Sequence, residues 1–491
     1  MFSLPFPDGV AEAADTFPQM VPEKLVCCLW FDQRWRPPLL RTLDGRTLTV
    51  HFPGRWNRQA GPDFQQAVIE LGDGIRCRGD VEIHRFASGW TAHRHHLDAR
   101  YNQVVLHVFL WNDRTATDVN RADGQTVPQV ALEAWLTRPL AAYHADISLE
   151  DYPQQHAPRV GRCYTTLQSL ERQKAQQFLE QAGDTRLLQH MWRWASRAAE
   201  VDVSQVMYEA VLRALGSAGY RQHFQELARL LFWSDMQRSL RRFTVSTRRV
   251  AAEALLLGLT GLLPQAIRHA TTMDVETLRY LEELQGYWTK FPVRVQQRAW
   301  HHMTWRQPHV RPANTPERRL AGMAQVLTRY HNTDLLHAAV ALCRTFAEQT
   351  EVVAARSLCQ ALASLLVAPE TSYWQRRTHF GGRPGKPQRL IGTQRALTVV
   401  IDAVLPVLLL SAQRSGDAWL RDTVLVCYRA APRLPDNTLL RDMARCLLGN
   451  DAALLALVTG ARQQQGMLQV FYDFCSNNEG DCQGCDFPLL A

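Results

Sequence analysis

The chain has 491 residues, of which 46% are hydrophobic and 21% are charged, and this composition excludes an intrinsically disordered protein. Its length is sufficient for two or three hydrophobic cores. The net charge of +8 suits an anionic partner such as nucleic acid, although many proteins of this charge bind none.

The N-terminal residues lack the basic-then-apolar order of a secretory signal peptide. The most apolar run, residues 397–410, contains Asp402 and Pro406 and is expected to be a buried helix too short to span a membrane. The eleven cysteines are an odd number and lie mostly alone in apolar helical segments, which is typical of reduced thiols. A cytoplasmic protein with no membrane association is therefore expected.

Residues 20–137 are predicted to form an α+β domain. A short helix is expected near residues 23–33, and it is followed by strand-like runs at 48–52, 67–71, 75–84, 104–111 and 127–135. Asp-Gly pairs at 44–45, 73–74 and 123–124 are typical of turns between strands.

The rest of the chain has a different periodicity. Residues 138–166 contain several prolines and are predicted to be a linker or strap. Residues 167–470 show the spacing of amphipathic helices without a clean repeat, which predicts a large helical domain and not a regular solenoid. Residues 471–491 form a cysteine-containing C-terminal segment. The predicted fold class is therefore α+β, with an N-terminal mixed α/β domain followed by a large, mostly α-helical one.

Acids and histidines are concentrated between residues 61 and 108. Because side chains alternate along a strand, Asp80, Glu82 and His84 are expected on one face, with Val81 and Ile83 facing a core on the other. This places an acid–acid–imidazole row on one side of the predicted sheet.

Further acids and histidines flank this row. Asp63 follows Pro62 at a turn before the AVIEL strand, the HRHH run occupies residues 93–96, and His107 lies within VVLHVFLW. Acids and imidazoles that a sheet brings together are what a divalent-metal site requires.

Pro62-Asp63 and Glu82-Ile83-His84 resemble the signature of the PD-(D/E)XK nuclease superfamily, with histidine where lysine is usual. In that family two acids bind a divalent ion that activates water for phosphodiester cleavage, and the lysine assists. The resemblance implies a nuclease-like N-terminal domain in which Asp63 and Glu82 bind Mg²⁺ or Mn²⁺ and His84 is the assisting group.

One branch of that superfamily, the very-short-patch mismatch-repair endonucleases, is similar in a further respect. In that branch a strand ends in histidine and is followed by a tryptophan and a histidine-rich loop. Here His84 is followed by Trp90 and the HRHH run. The similarity implies that His93 or His95 acts as a general base.

Two other interpretations of these residues stay open. His84 and His107 can be ordinary hydrogen-bonded strand histidines, with Glu82 paired to a surface arginine. Alternatively, the same side chains can serve a different metal enzyme or metal binder, such as a small β-barrel.

The C-terminal cysteines Cys475, Cys482 and Cys485 have the spacing C-x6-C-x2-C, which suggests zinc or an iron–sulfur cluster. Cys163 is the best candidate for a fourth ligand. The set resembles a clasp in some helicase- and CRISPR-associated nucleases, in which one early cysteine joins three late ones, although the spacing departs from theirs. A closed four-thiolate site would be structural, and redox use or plain free thiols are the alternatives.

Two basic clusters follow in the helical region. A glycine-rich loop that suits phosphate contact, or is simply solvated, contains Arg376, Arg377, Arg383, Lys386 and Arg389. A solvated helix face is the expected role of Arg238, Arg241, Arg242, Arg248 and Arg249.

Taken together, PGRWNRQAGPDF, GDVEIH, the W-x2-H-x-H loop, YNQVVLHV and the three-cysteine end resemble a bacterial family called domain of unknown function 2851. That family implies no activity. The leading prediction is a metal-dependent nuclease or phosphodiesterase acting on nucleic acid, with Asp63, Glu82, His84 and His93 as its catalytic residues.

The alternative is a non-catalytic helical interaction scaffold with a structural metal site, whose protein partners the sequence does not predict. A nuclease requires Asp63, Glu82 and His84 to converge on an open cleft. A scaffold would bury these side chains or spread them apart.

Overall fold

The computed structural model describes the chain with gaps. The described residues are 21–35, 40–57, 61–72, 74–114, 118–147, 149, 161–216, 220–270, 273–300, 314–330, 332–346, 352–368, 373–475 and 485–489. They fall into two compact units, the first comprising Met1–Pro158 with Phe471–Leu490 and the second Arg159–Val470. A sheet near the N-terminus precedes a largely helical region, which confirms the predicted α+β class.

The first unit begins with the helix Glu23–Phe31. Its strands, in chain order, are β1 (Leu48–Phe52), β2 (Arg55–Trp56), β3 (Phe64–Leu71), β4 (Ile75–Phe86), β5 (Val104–Trp111), β6 (Val119–Asn120), β7 (Thr126–Val127) and β8 (Gln129–Ala131). Short helical segments lie at Gly89–Ala92, His95–Leu97, Ala99–Tyr101, Glu133–Trp135 and Leu140–Asp146, and near the chain end at Phe471–Cys475 and Phe487–Leu489.

The main sheet has the strand order β1-β3-β4-β5-β8, and β2 pairs with β3. β1, β3 and β4 are antiparallel neighbours, whereas β4–β5 and β5–β8 are parallel. A parallel pair cannot be joined by a hairpin, so the chain must cross over between β4 and β5. That crossover contains Trp90 and the HRHH run at residues 93–96.

The strand alternation separates two hydrophobic clusters. Val81 and Ile83 of β4 belong to the larger cluster, which includes the buried side of helix Glu23–Phe31. Each such fully buried side chain contributes roughly 1.5–3 kcal/mol relative to exposure. Trp90 and Tyr101, from the crossover, belong to a smaller cluster.

The second unit is helical in its described residues. Its longer helices are Arg172–Trp192, Val203–Leu215, Arg221–Leu230, Val245–Leu259, Val275–Trp288, Pro316–Arg329, Leu335–Phe346, Val352–Ser364, Leu405–Ser415, Ala418–Ala430, Thr438–Leu448 and Ala461–Val470. Shorter ones are Arg162–Ser169, Ala195–Glu200, Trp233–Leu240, Leu262–Arg268, Val293–Gln296, Thr393–Val399 and Ala452–Leu455. Side-chain N-caps at Asp202, Asp274, Asp417, Asn437 and Asp451 fix several helix starts.

The apolar run near residue 400 forms a longer helix than its sequence indicates. A π-helical turn at Val400–Val404 joins the flanking helices into one stretch, Thr393–Ser415. By length and composition this stretch could cross a membrane, and 72% of its apolar window is buried inside the protein. Among the described residues, a second span would require Val245–Leu259 and Leu262–Arg268, bent by 83°, to act as one.

Candidate metal centre

Asp63 and Glu82 are tied together at the β3–β4 pair. Asp63 immediately precedes β3, whose first residue, Phe64, is paired with Val81 of β4. The Asp63 carboxylate accepts a hydrogen bond from the Ile83 backbone N–H at 2.9 Å, and Glu82 Oε2 accepts one from the Asp63 N–H at 3.1 Å. Both acids are 5% exposed. These charge-assisted bonds hold the two carboxylates beside each other.

Asp80 has a separate environment. The β3–β4 register shifts between Phe64 and Ala67, and Gln66 in this irregular segment has a positive φ of 58°. The Gln66 N–H donates to Asp80 Oδ1 at 3.0 Å, and burial raises the pKa of Asp80. The described contacts therefore place Glu82 and His84, but not Asp80, beside the histidines His93, His95 and His107.

His84, near the end of β4, is the centre of a histidine cluster and is 1% exposed. Its Nε2 lies 3.1 Å from His93 Nδ1 and 3.2 Å from His95 Nε2. On the other side of the ring, Nδ1 lies 2.9 Å from His107 Nε2. Glu82 Oε1 completes the group, at 3.0 Å from His95 Nε2 and 3.8 Å from His84 Nε2.

Close packing fixes these rings in place. A Cβ at Gly89 would lie 2.5 Å from His84 Cγ, so this position requires glycine. The Tyr101 and His95 ring centroids are 3.9 Å apart with a 33° interplanar angle. Trp90 lies against His95 and His107, with ring centroids at 5.5 and 5.3 Å.

Hydrogen bonding determines which nitrogen of each buried ring bears the proton. His107 Nδ1 lies 3.0 Å from Gln129 Oε1, which is an acceptor, so this nitrogen donates and His107 Nε2 accepts. His84 Nδ1 must then donate to His107. The lone pair of His84 Nε2 is consequently directed at His93 and His95. A metal-binding histidine is commonly oriented in this way, by a hydrogen bond from its other ring nitrogen.

Burial keeps the central imidazoles neutral. It lowers the pKa of His84 well below its usual range, and the neighbouring histidines lower it further. It also lowers the pKa of His107 to about 3, against an opposing effect of the Gln129 hydrogen bond. Neutral imidazole is the form that binds metal ions.

The spacing of the nitrogens suits a common metal ion. Ligand atoms of His84, His93 and His95 all lie within 4.8 Å of one another. Metal–nitrogen bonds of 2.0–2.1 Å in a tetrahedral site would separate two ligand atoms by about 3.3 Å. A hydrogen-bonded arrangement without metal also satisfies the described contacts, with His93 donating to His84 and His95 donating to Glu82.

The structure thus brings the four predicted catalytic residues, Asp63, Glu82, His84 and His93, into one region. Asp63, Glu82 and His84 converge, but they are buried, and His93 is exposed. Gln129 was missed by sequence reasoning, because its role depends on the pairing of β8 with β5.

The four predicted cysteine ligands are described only in part. Cys163 is buried in the second unit, where its sulfur donates to the Cys446 carbonyl at 3.3 Å. Cys475 and Cys485 are partly buried in the first unit, and Cys482 lies outside the described residues. A zinc or iron–sulfur site here stays a prediction.

The predicted phosphate-binding loop contains one buried and four exposed cations. Arg377 is buried and pairs with Asp274 at 2.8 Å and Glu276 at 2.7 Å. Arg318 donates to the carbonyls of Trp374, Arg377, Gln388 and Arg389, which anchors both ends of the loop. Exposed side chains remain at Arg376, Arg383, Lys386 and Arg389.

No curated protein and no solved structure matches this chain. A protein family does match it, over residues 23–435, which include β1–β8 and most of the helical unit. The chain therefore belongs to the family described as "Protein of unknown function (DUF2851)".

Proposed function

We propose that this protein is a metal-dependent phosphodiesterase acting on nucleic acid, with its reaction centre at Glu82, His84, His93 and His95. The supporting observation is the convergence of three imidazole nitrogens within 4.8 Å of one another, beside the Glu82 carboxylate. Asp63, just before β3, also lies beside Glu82 of the adjacent strand β4, as the similarity to PD-(D/E)XK nucleases implies.

The donor set favours a transition metal. Imidazole nitrogens suit Zn²⁺, whereas Mg²⁺ and Mn²⁺ are more often bound by carboxylate, carbonyl and water oxygens. Of the two ions expected from the sequence, the transition metal Mn²⁺ accepts nitrogen ligands more readily and fits better than Mg²⁺. When bound, such an ion polarises a phosphate and lowers the pKa of a coordinated water.

The surrounding residues have distinct roles in this proposal. His84, His93 and His95 supply nitrogen ligands, and Glu82 supplies a carboxylate oxygen. Asp63 acts as a positioning residue, because its carboxylate holds the Ile83 N–H and its own N–H holds Glu82 Oε2. His93 is the exposed member of the cluster, so substrate would approach from its side.

A second candidate function is favoured by burial. Asp63, Glu82 and His84 are each 5% exposed or less, and closed metal sites are structural, whereas catalytic ones keep a position open to substrate. In that alternative the cluster stabilises the first unit of a non-catalytic interaction scaffold. The two functions make the same prediction for metal binding and opposite predictions for cleavage.

The test is cleavage of labelled single- and double-stranded DNA and RNA with Mn²⁺, Zn²⁺ or Mg²⁺. Wild type is compared with Glu82→Gln, with His93→Ala and with the control His51→Ala, which alters a partly exposed histidine of the same sheet. We expect Mn²⁺- or Zn²⁺-dependent cleavage that is retained only by wild type and His51→Ala. No cleavage of any substrate by the folded, metal-loaded wild type would contradict the proposal and favour the scaffold.

A further inference from the structure

The second unit contains a cleft of about 340 Å³ that is rich in arginine. Four arginines line it, Arg238, Arg242, Arg294 and Arg298, and Asp235 is its one acid. All four arginines are exposed. Four positive charges and one negative charge leave a net charge of +3 around a single concavity.

The fold assembles this cleft from two separate segments. Arg238 lies in the last turn of helix Trp233–Leu240 and Arg242 lies two residues after it, whereas Arg294 and Arg298 lie in or just after helix Val293–Gln296. Not all of the basic cluster predicted at positions 238–249 lines the cleft. Arg248 is buried and donates to backbone carbonyls, and Arg249 pairs with Glu253. The cleft is therefore more than the solvated helix face that the sequence predicts.

Backbone carbonyls and aromatic rings orient two of the cleft arginines without neutralising them. Arg242 donates to the carbonyls of Ser239 at 3.2 Å and Lys290 at 3.0 Å, and its guanidinium lies 5.6 Å from the centroid of the Phe291 ring. Arg298 donates to the Leu230 carbonyl. These contacts fix the direction of the Arg242 and Arg298 guanidinium groups and leave their charge uncompensated.

Two arginines outside the cleft provide a contrast. Arg462 pairs with Glu180 and Asp184 at 2.6 and 2.5 Å, and Arg197 pairs with Glu209 at 2.8 Å. In the described part of the chain, no carboxylate pairs with the three cleft arginines at positions 242, 294 and 298.

The fourth arginine of the cleft is paired, but weakly. Arg238 contacts Asp235 at 3.2 Å, and the two side chains are 73% and 43% exposed. Such exposed pairs contribute little, so the pair leaves Arg238 able to contact a ligand. Like charges held together without counter-charges favour an anion.

We infer that this cleft binds the sugar-phosphate backbone of a nucleic acid. Guanidinium groups from two segments can contact successive phosphates, which an isolated surface arginine cannot do. Leu231, Pro292 and Val295 supply an apolar part of the lining against which a sugar or base can pack. The choice of nucleic acid as the ligand rests on the proposed phosphodiesterase function.

The experiment measures binding in the absence of cleavage. Fluorescence anisotropy of labelled single-stranded and duplex oligonucleotides is recorded in EDTA for the full chain and for Arg242→Glu/Arg294→Glu. The control Arg172→Glu/Arg441→Glu makes the same change in net charge at exposed positions that do not line the cleft. The single variant Arg294→Glu, at an exposed position, guards against misfolding, and circular dichroism checks all variants.

We expect the cleft double variant to bind at least about tenfold more weakly than wild type. Its slope of log affinity against log salt concentration should decrease by the equivalent of about two phosphate contacts. The control should retain most of its affinity. Equal losses in the two double variants, or no loss in either, would overturn the inference, as would displacement of the oligonucleotide by millimolar inorganic phosphate.

Failure of this inference can be told from failure of the proposed function. Cleft-dependent binding without cleavage under any metal condition would refute the phosphodiesterase and leave the cleft intact. Cleavage by a protein whose cleft variants bind like wild type would refute the cleft alone.

Discussion

The substitution Gly89→Ala tests the histidine cluster through its packing. Gly89 lies against the His84 ring, and a Cβ there would lie 2.5 Å from Cγ and 2.6 Å from Cδ2. Ordinary carbon–carbon contacts begin near 3.5 Å, so the imidazole must move by about 1 Å. No metal-binding atom is removed, so any loss of metal affinity would come from displacement alone.

The expected magnitudes follow from this geometry. Overpacking of a well-packed site costs about 1–3 kcal/mol, and we expect a loss of this size in the free energy of unfolding. Movement of His84 Nε2 away from His93 and His95, at present 3.1 and 3.2 Å distant, should weaken Mn²⁺ or Zn²⁺ binding about 10–100-fold, as disruption of groups supporting a metal ligand typically does.

Two glycine variants are matched controls. A Cβ at Gly79 would lie 2.3 Å from Val105 Cγ1, so Gly79→Ala should destabilise the sheet without contacting the histidines. A Cβ at Gly286 would have nothing within 4 Å, so Gly286→Ala, on a helix, should be neutral or stabilising. Urea unfolding and isothermal titration with metal are measured for all three. If Gly89→Ala lost stability as Gly79→Ala does but bound metal like wild type, the argument from ring position would be refuted.

Three further predictions concern buried polar groups. Burial lowers the folded-state pKa values of His84 and His107 below the value of 6.5 for unfolded histidine, so the unfolded chain binds more protons than the folded one below pH 6.5. The free energy of unfolding of the metal-free protein should therefore fall as pH drops from about 6.5 towards 3. A urea midpoint independent of pH over this range would contradict this prediction. Gln129→Leu should lower the free energy of unfolding, measured in urea, by about 1–3 kcal/mol because it leaves a buried His107 N–H unpaired. Gln129→Glu keeps an acceptor for that N–H and should bind metal more tightly than Gln129→Leu. Arg249→Met should cost about 1.5–3 kcal/mol by removing the cationic partner of the fully buried Glu253, which keeps its hydrogen bond from Tyr280. A double variant with Glu253→Gln should recover part of that loss, and additive losses would contradict the pairing.

Strand alternation predicted much of the candidate site but not all of it. The period of two in GDVEIH correctly places Glu82 and His84 together, opposite Val81 and Ile83. Asp80 shares that alternation in sequence, but the irregularity in β3 gives it a separate hydrogen-bond partner. A bulge of this kind depends on pairing between strands and leaves no mark on the periodicity.

Other features depend on contacts that are distant in sequence. Gln129 orients His107 only because β8 pairs with β5, and the strand predicted over residues 127–135 is shorter, since a 3₁₀ turn begins at Glu133. Arg377 was indistinguishable in sequence from its exposed neighbours. Its acidic partners lie about a hundred positions earlier in the chain.

Metal binding by the cluster is the most direct test of the account. Isothermal titration with Mn²⁺ and Zn²⁺ is made on a Cys482→Ser/Cys485→Ser background, which removes two predicted thiolate ligands. This background is compared with the same background carrying His93→Ala, a change at an exposed position that should leave folding intact. We predict one ion per chain, with affinity at least tenfold weaker in the His93→Ala protein. Folded protein that binds neither ion, or binds it equally well without His93, would show that the histidines form only a hydrogen-bonded network.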